Sequence, residues 1–140
     1  MTDAADQPPT ERFPFAFDRR FRVPLALIGV RPATAHATLA GDRLEAHFGP
    51  WSFETPLDNV VEVCRTGPYR WYTAIGPRGS AVDRGLTFGT TPAGGVCVLL
   101  REPVPGLLPT GALRHPGVTL TVADRDRFVA SLRRRAGLDA

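Results

Sequence analysis

The side chains best suited to recognition chemistry are concentrated between residues 65 and 78, where Arg65, Tyr69, Arg70, Trp71, Tyr72 and Arg78 surround Gly67-Pro68 and Gly76-Pro77. Guanidinium forks pair with carboxylate or phosphate and aromatic faces supply stacking area, so this cluster suits a small anionic ligand or a protein surface. The competing reading sends alternate members, Trp71 and Ile75, into a core and leaves the arginines solvated or paired with Glu62 or Asp83. A second set, His36, Glu45 and His47, has donor types that hold Zn or a non-haem metal, with His115 as a distant further donor. Polar residues on a wet sheet face explain that set better, and no Cys or acidic cluster beside it completes a ligand shell, so no metal is expected. The GPRGS run at Gly76 to Ser80 lacks the Lys-Ser/Thr ending and the helix of a phosphate-binding loop and reads as a tight loop. Arg114 and His115 read as ordinary exposed loop residues.

Catalysis finds little footing in the sequence. The serines are Ser52, Ser80 and Ser131, none in a G-x-S-x-G setting, and neither Cys64 nor Cys97 has a legible His partner. No cofactor is expected. The cysteines lack C-x-x-C spacing and lie in apolar, strand-like runs, so both read as buried, reduced thiols.

Composition sets the outer bounds. A chain of 140 residues with 43% apolar and 22% charged residues is globular and fits one domain. Its 17 basic residues are all arginine, set against 14 acidic ones for a net charge of +3, so no dense positive field attracts nucleic acid. Residues 1–12 read as a mobile tail and residues 13–140 as the domain. The N-terminus has no basic start or apolar stretch of a signal peptide, and Val23 to Val30 is too short for a membrane span, which points to the cytoplasm.

The elements that must position these groups are mostly short strands. Phe13, Phe15 and Phe17 alternate in an extended segment facing the core. Phe21 to Val30 fits either a short helix opened by Pro24 and ended by Gly29, the preferred reading, or a buried edge segment. In AHATLAGDRLEAHF, alternating residues flank Gly41-Asp42, the kind of two-residue turn that closes a hairpin. That turn pairs Ala40 with Arg43, Leu39 with Leu44, Thr38 with Glu45, Ala37 with Ala46 and His36 with His47. One face is then apolar and the other polar, and a slip by one residue inverts them. Further strands are expected at Trp51 to Thr55, Asn59 to Arg65, Trp71 to Gly76, Leu86 to Thr90, Val96 to Arg101 and Val118 to Val122. The proline-rich stretch Glu102 to Gly117 reads as a long covering loop. Asp124 caps a C-terminal helix whose apolar stripe is Phe128, Val129, Leu132 and Ala136, ended by Gly137 and with Arg133 to Arg135 in its last turn.

The expectation is a mainly β domain, a small antiparallel barrel or sandwich of about seven to eight strands with one C-terminal α-helix. From about Arg31 to Leu138 this plan resembles the pleckstrin-homology-like fold. The runs GPYRWYTAIGPRGSAVDRGLTFGT, GVCVLL and RHPGVTLTVAD resemble a group of short uncharacterised proteins from high-GC bacteria. Phosphoinositide-binding members of the fold use clustered Lys and Arg around the loop joining their first two strands. Here Gly41-Asp42 and a lone Arg43 stand at that place, so the resemblance implies the fold without that headgroup site. The function expected is a non-enzymatic binding or interaction module for an unknown protein or small anionic ligand. The alternative is a small barrel carrier or enzyme holding a hydrophobic or anionic metabolite, which needs a cavity of roughly 300 Å³ with convergent polar groups. The sequence leaves the oligomeric state open.

Overall fold

A computed structural model describes residues 10–68, 75–79, 86–105 and 114–138. The strands are β1 (Glu11–Pro14), β2 (Ala35–Ala40), β3 (Arg43–Phe48), β4 (Trp51–Pro56), β5 (Val60–Thr66), β6 (Gly76–Gly79), β7 (Leu86–Gly89), β8 (Gly95–Pro105) and β9 (Arg114–Leu120), and the α-helices are α1 (Arg22–Leu27) and α2 (Arg125–Arg135). Glu11 and Arg12, inside the stretch assigned to the tail, belong to β1. Among the described residues no helix is long and apolar enough to cross a membrane.

The strands form two sheets, β1-β2-β3-β4 and β5-β8-β9-β7-β6, rather than a closed barrel. The first is antiparallel throughout, and its β2-β3 register is the one that the Gly41-Asp42 turn dictates, from Ala40↔Arg43 to His36↔His47. Alternation does the rest: Ala35, Ala37, Leu39, Leu44, Ala46 and Phe48 are all fully buried. The second sheet departs from an all-antiparallel plan, because β7 runs parallel to β9. The β8-β9 hairpin inserts between β5 and β7, so a central strand is supplied by the last segment of sheet rather than by the next one in sequence.

Much of the stretch read as a covering loop is strand. Past a register shift, β8 and β9 pair again at Val104↔His115 and Pro105↔Arg114. The prolines are tolerated there because β5 ends its pairing at Leu100, leaving that side of β8 without a neighbouring ladder. Asn59 takes over at this point: its Nδ2 donates to Glu102 O at 2.9 Å and its Oδ1 accepts from Glu102 N at 2.8 Å. The GPRGS loop is likewise corrected, since Gly76–Gly79 pairs with β7 as a strand.

Aromatic contacts lock the layers together. Phe48 of the first sheet stacks on Phe88 of the second at 4.9 Å and 5°. Phe13 meets Phe128 of α2 edge-on at 4.9 Å, and a Phe15↔Val122 bridge stitches the N-terminal segment to the chain just beyond β9. Asp124 caps α2 by accepting from Arg127 N, and Gly137 takes a φ of 73° just past its end.

Candidate functional site

Of the arginine and aromatic cluster, Arg65 and the backbone of Arg78 belong to the described residues. Tyr69, Arg70, Trp71 and Tyr72 lie outside those residues. Arg65 turns toward α2 and pairs with Asp126, 61 positions away, instead of with Glu62. Arg78 lies opposite Thr87 in β6, whereas Arg65 takes the adjacent row opposite Val96. Ile75 is half-buried against the core.

On the outer face of the first sheet, His36 and His47 stand opposite each other with ring centroids 5.1 Å apart. Glu45 Oε2 is 3.9 Å from His47 Nε2, too far for a hydrogen bond. Arg12 of β1 donates through Nη2 to His36 Nδ1 at 3.0 Å. A guanidinium only donates, so that nitrogen must be unprotonated and the imidazole neutral. Desolvation, the Arg12 charge and His47 all hold the His36 pKa below the ordinary histidine value. Among the described residues no three His, Cys, Asp or Glu side chains converge as a metal-ligand set. His115, read as an exposed loop residue, is instead fully buried in the other sheet.

A titration follows from this geometry. The His36 Hε1 resonance should move with a midpoint below that of an ordinary histidine, and Arg12→Gln should raise it. Because the unfolded chain takes up the proton first, His36 favours folding above the ordinary histidine pKa and loses that contribution as pH falls below it. An NMR pH titration of wild type and variant reads both effects; an unmoved midpoint in the variant would refute the Arg12 contact.

The surface that stands out is α1, which sequence reasoning treated only as a short helix. Its start is held by the core: Ala16 N donates to Thr121 O at 2.9 Å and Asp18 N to Thr90 O at 3.1 Å. Asp18 then caps the turn Arg19–Phe21, accepting from Arg20 N and from both sides of the Arg20 guanidinium. Those bonds, with the Arg20 charge, hold the Asp18 carboxyl below its ordinary pKa. Pro24 sits in the first turn of α1, where its missing N–H is no loss. Gly29, at φ 91°, ends the helix. The far end leans on the β3-β4 turn, where a Cβ on Gly49 would lie 2.7 Å from Gly29 O, so only glycine fits.

Leu25 and Val30 anchor this knuckle in the core, and one short helix can bury only one side. The opposite side leaves Val23 71%, Leu27 83% and Ile28 42% exposed. Arg19, Arg20, Arg22 and Arg31 around them are also exposed, and Asp18 is the one acidic residue between positions 13 and 41. The signal was present in RRFRVPLALIGVR, an apolar run too continuous for a helix with one wet face, bracketed by arginines.

A cleft of about 350 Å³ lies at the opposite end of β3, lined by the Gly41-Asp42 turn, Pro56, Leu57, Asp58 and the end of α2 at Arg135 to Gly137. Its Arg135 is already committed to Glu11, at 2.9 Å. Asp42 and Asp58 then leave the lining ill-suited to an anion. No family model matches the sequence, and neither a curated protein nor a solved structure matches it significantly.

Proposed function

We propose that this protein is a non-enzymatic interaction module, pleckstrin-homology-like in plan, that seats α1 in an apolar groove rimmed by carboxylates on a protein partner. The observation that carries this reading is the concentration of exposed apolar side chains: Val23, Leu27 and Ile28 share α1 and its C-cap, while the other large ones that are exposed among the described residues, Val61 and Leu99, belong to the second sheet. Val23 and Leu27 are four apart, the spacing of anchors in helix-in-groove recognition. The surrounding arginines supply the charge half of the match and select an acidic rim. Two packed sheets with one C-terminal helix support the fold resemblance, while the parallel β7-β9 pair is a departure from an all-antiparallel plan. For the carrier or enzyme alternative, the cleft beside Arg135 offers Asp42 and Asp58, which work against an anionic metabolite.

A benzophenone side chain in place of Leu27 tests the reading in living cells. Irradiation should attach one protein through a peptide with flanking Asp or Glu, and Arg19→Glu with Arg22→Glu should abolish the adduct. The purified partner should then bind Leu27→Asp at least about tenfold more weakly, since each apolar side chain buried contributes roughly 1.5–3 kcal/mol. Because Leu27 is mostly exposed, the same variant should melt like wild type. Adducts with lipid only, or a partner indifferent to Leu27→Asp, would defeat the proposal.

A further inference from the structure

We infer that Cys64 and Cys97 form a reversible disulfide site, a cross-strand dithiol oxidised by peroxide. The two were expected to be buried, but Val63 and Val98 occupy the inward positions of β5 and β8, so strand alternation turns the next residues outward. Cys64 is exposed and Cys97 half-buried, and neither stands in a disulfide. They are register partners, directly opposite across the β5-β8 ladder.

Opposed residues in an antiparallel pair have Cα atoms about 4.5–5.5 Å apart, inside the roughly 4.4–6.8 Å that a disulfide accepts. Their Cβ atoms start at about 4.5–5.5 Å and need to close to about 4 Å. The strand that must move is the one able to: β5 is the edge of its sheet, and its register already shifts between Val60 and Glu62. The outer row continues through Thr119 and Thr87, small side chains that leave an oxidant a path along the sheet face.

The chemistry assigns each thiol a part. The Cys64 thiolate, the more accessible, attacks one oxygen of hydrogen peroxide. The S–O bond forms, the O–O bond breaks, and hydroxide leaves and takes up the proton the thiol released, giving water and a sulfenic acid. The Cys97 thiolate then attacks the Cys64 sulfur. The S–S bond forms, the S–O bond breaks, and the departing hydroxide takes the second thiol proton as water. Two thiols lose two electrons and two protons, and one peroxide becomes two waters. A dithiol reductant restores both thiols by exchange.

The test is dilute full-length protein treated with hydrogen peroxide, alkylated, and weighed intact. Wild type should lose the mass of two hydrogens, take up no alkyl group, and regain both alkylation sites after reduction with dithiothreitol; proteolysis should yield one peptide pair joined at Cys64 and Cys97. Cys97→Ser should instead collect oxygen on Cys64, and Cys64→Ser should keep an alkylable Cys97. Two alkylable thiols in treated wild type, oxygen on Cys64 without linkage, or disulfide-joined dimers would each overturn the site.

Discussion

Leu44→Asp is expected to leave the chain unfolded, with no cooperative melting transition and no near-ultraviolet circular dichroism, whereas His36→Ala melts within a few degrees of wild type. Both residues sit in the same hairpin, and strand alternation alone separates them. Leu44 is fully buried opposite Leu39, on the face that packs under Phe48 and Phe88. Removing such a side chain costs about 2–5 kcal/mol in lost transfer and cavity energy, and a carboxylate in its place adds several more. Domains of this size hold only about 5–15 kcal/mol against unfolding, so the sum reaches the whole reserve. His36 lies on the wet face with one exposed hydrogen bond to Arg12, and changes at such places stay within about 0.5 kcal/mol. Similar melting temperatures for the two variants would mean that the faces of the hairpin are exchanged.

The second large effect concerns the tie between the two ends of the chain. Glu11 Oε1 accepts from Arg135 Nε at 3.0 Å and Glu11 Oε2 from Ser131 Oγ at 3.0 Å, joining β1 to α2 across 124 positions. The Arg135 side chain is only 5% exposed. Arg127 adds to the same seam, donating to Arg12 O and lying over the Phe13 ring at 4.2 Å. Glu11→Ala removes the carboxylate that the nearly buried Arg135 guanidinium and the Ser131 hydroxyl both bond, a change that costs about 3–5 kcal/mol. Urea unfolding should therefore show a midpoint well below that of wild type, and a shift under 1 kcal/mol would show the seam to be dispensable.

The pair also carries a signature in acid. Burial pushes the Glu11 carboxyl upward, but hydrogen bonds from Ser131 and Arg135, with the charges of Arg135 and Arg134, outweigh it and set the pKa below the ordinary glutamate value. A carboxyl with a lowered folded pKa stabilises the fold fully above its unfolded pKa, and the contribution fades as pH falls through the folded value. Wild-type stability should thus fall on acidification more steeply than that of Glu11→Gln. Parallel curves would separate the carboxylate from the seam.

These two ties bracket the α1 segment proposed as the docking surface. The sheet that Leu44 holds carries the β3-β4 turn on which α1 leans, and Phe15, Leu25 and Val30 with the Thr90 and Thr121 contacts hold the chain between β1 and β2. A segment fixed at both ends presents its exposed apolar residues with little ordering left to lose on binding, which is how a short helix becomes an effective anchor.

Several elements are legible in the sequence. The β2-β3 register follows from a two-residue turn and strict alternation, because a slip would bury Glu45 and expose Leu44. The C-terminal helix follows from Asp124, one apolar stripe and Gly137, all read within about three turns of chain. The opposition of His36 and His47 came with the register. Arg12, which settles His36 as neutral, arrived from β1, and nothing in the local pattern announces it.

The sequence by itself determined what depends on neighbours within a few residues: the hairpin and its two faces, the capped helix, and the short apolar run between arginines. Tertiary structure alone decided which side of the apolar runs VVEVC and VCVLL faces inward, that β7 would lie parallel to β9, that Arg65 would answer to Asp126 and Glu11 to Arg135, and that α1 would keep its apolar side outside. Periods of 2 and 3.6 residues are local constraints of the backbone and are written into the chain. Partners 61 to 124 positions apart are chosen by whichever arrangement buries the most apolar surface across the whole molecule while pairing its polar groups, a sum that no local window contains.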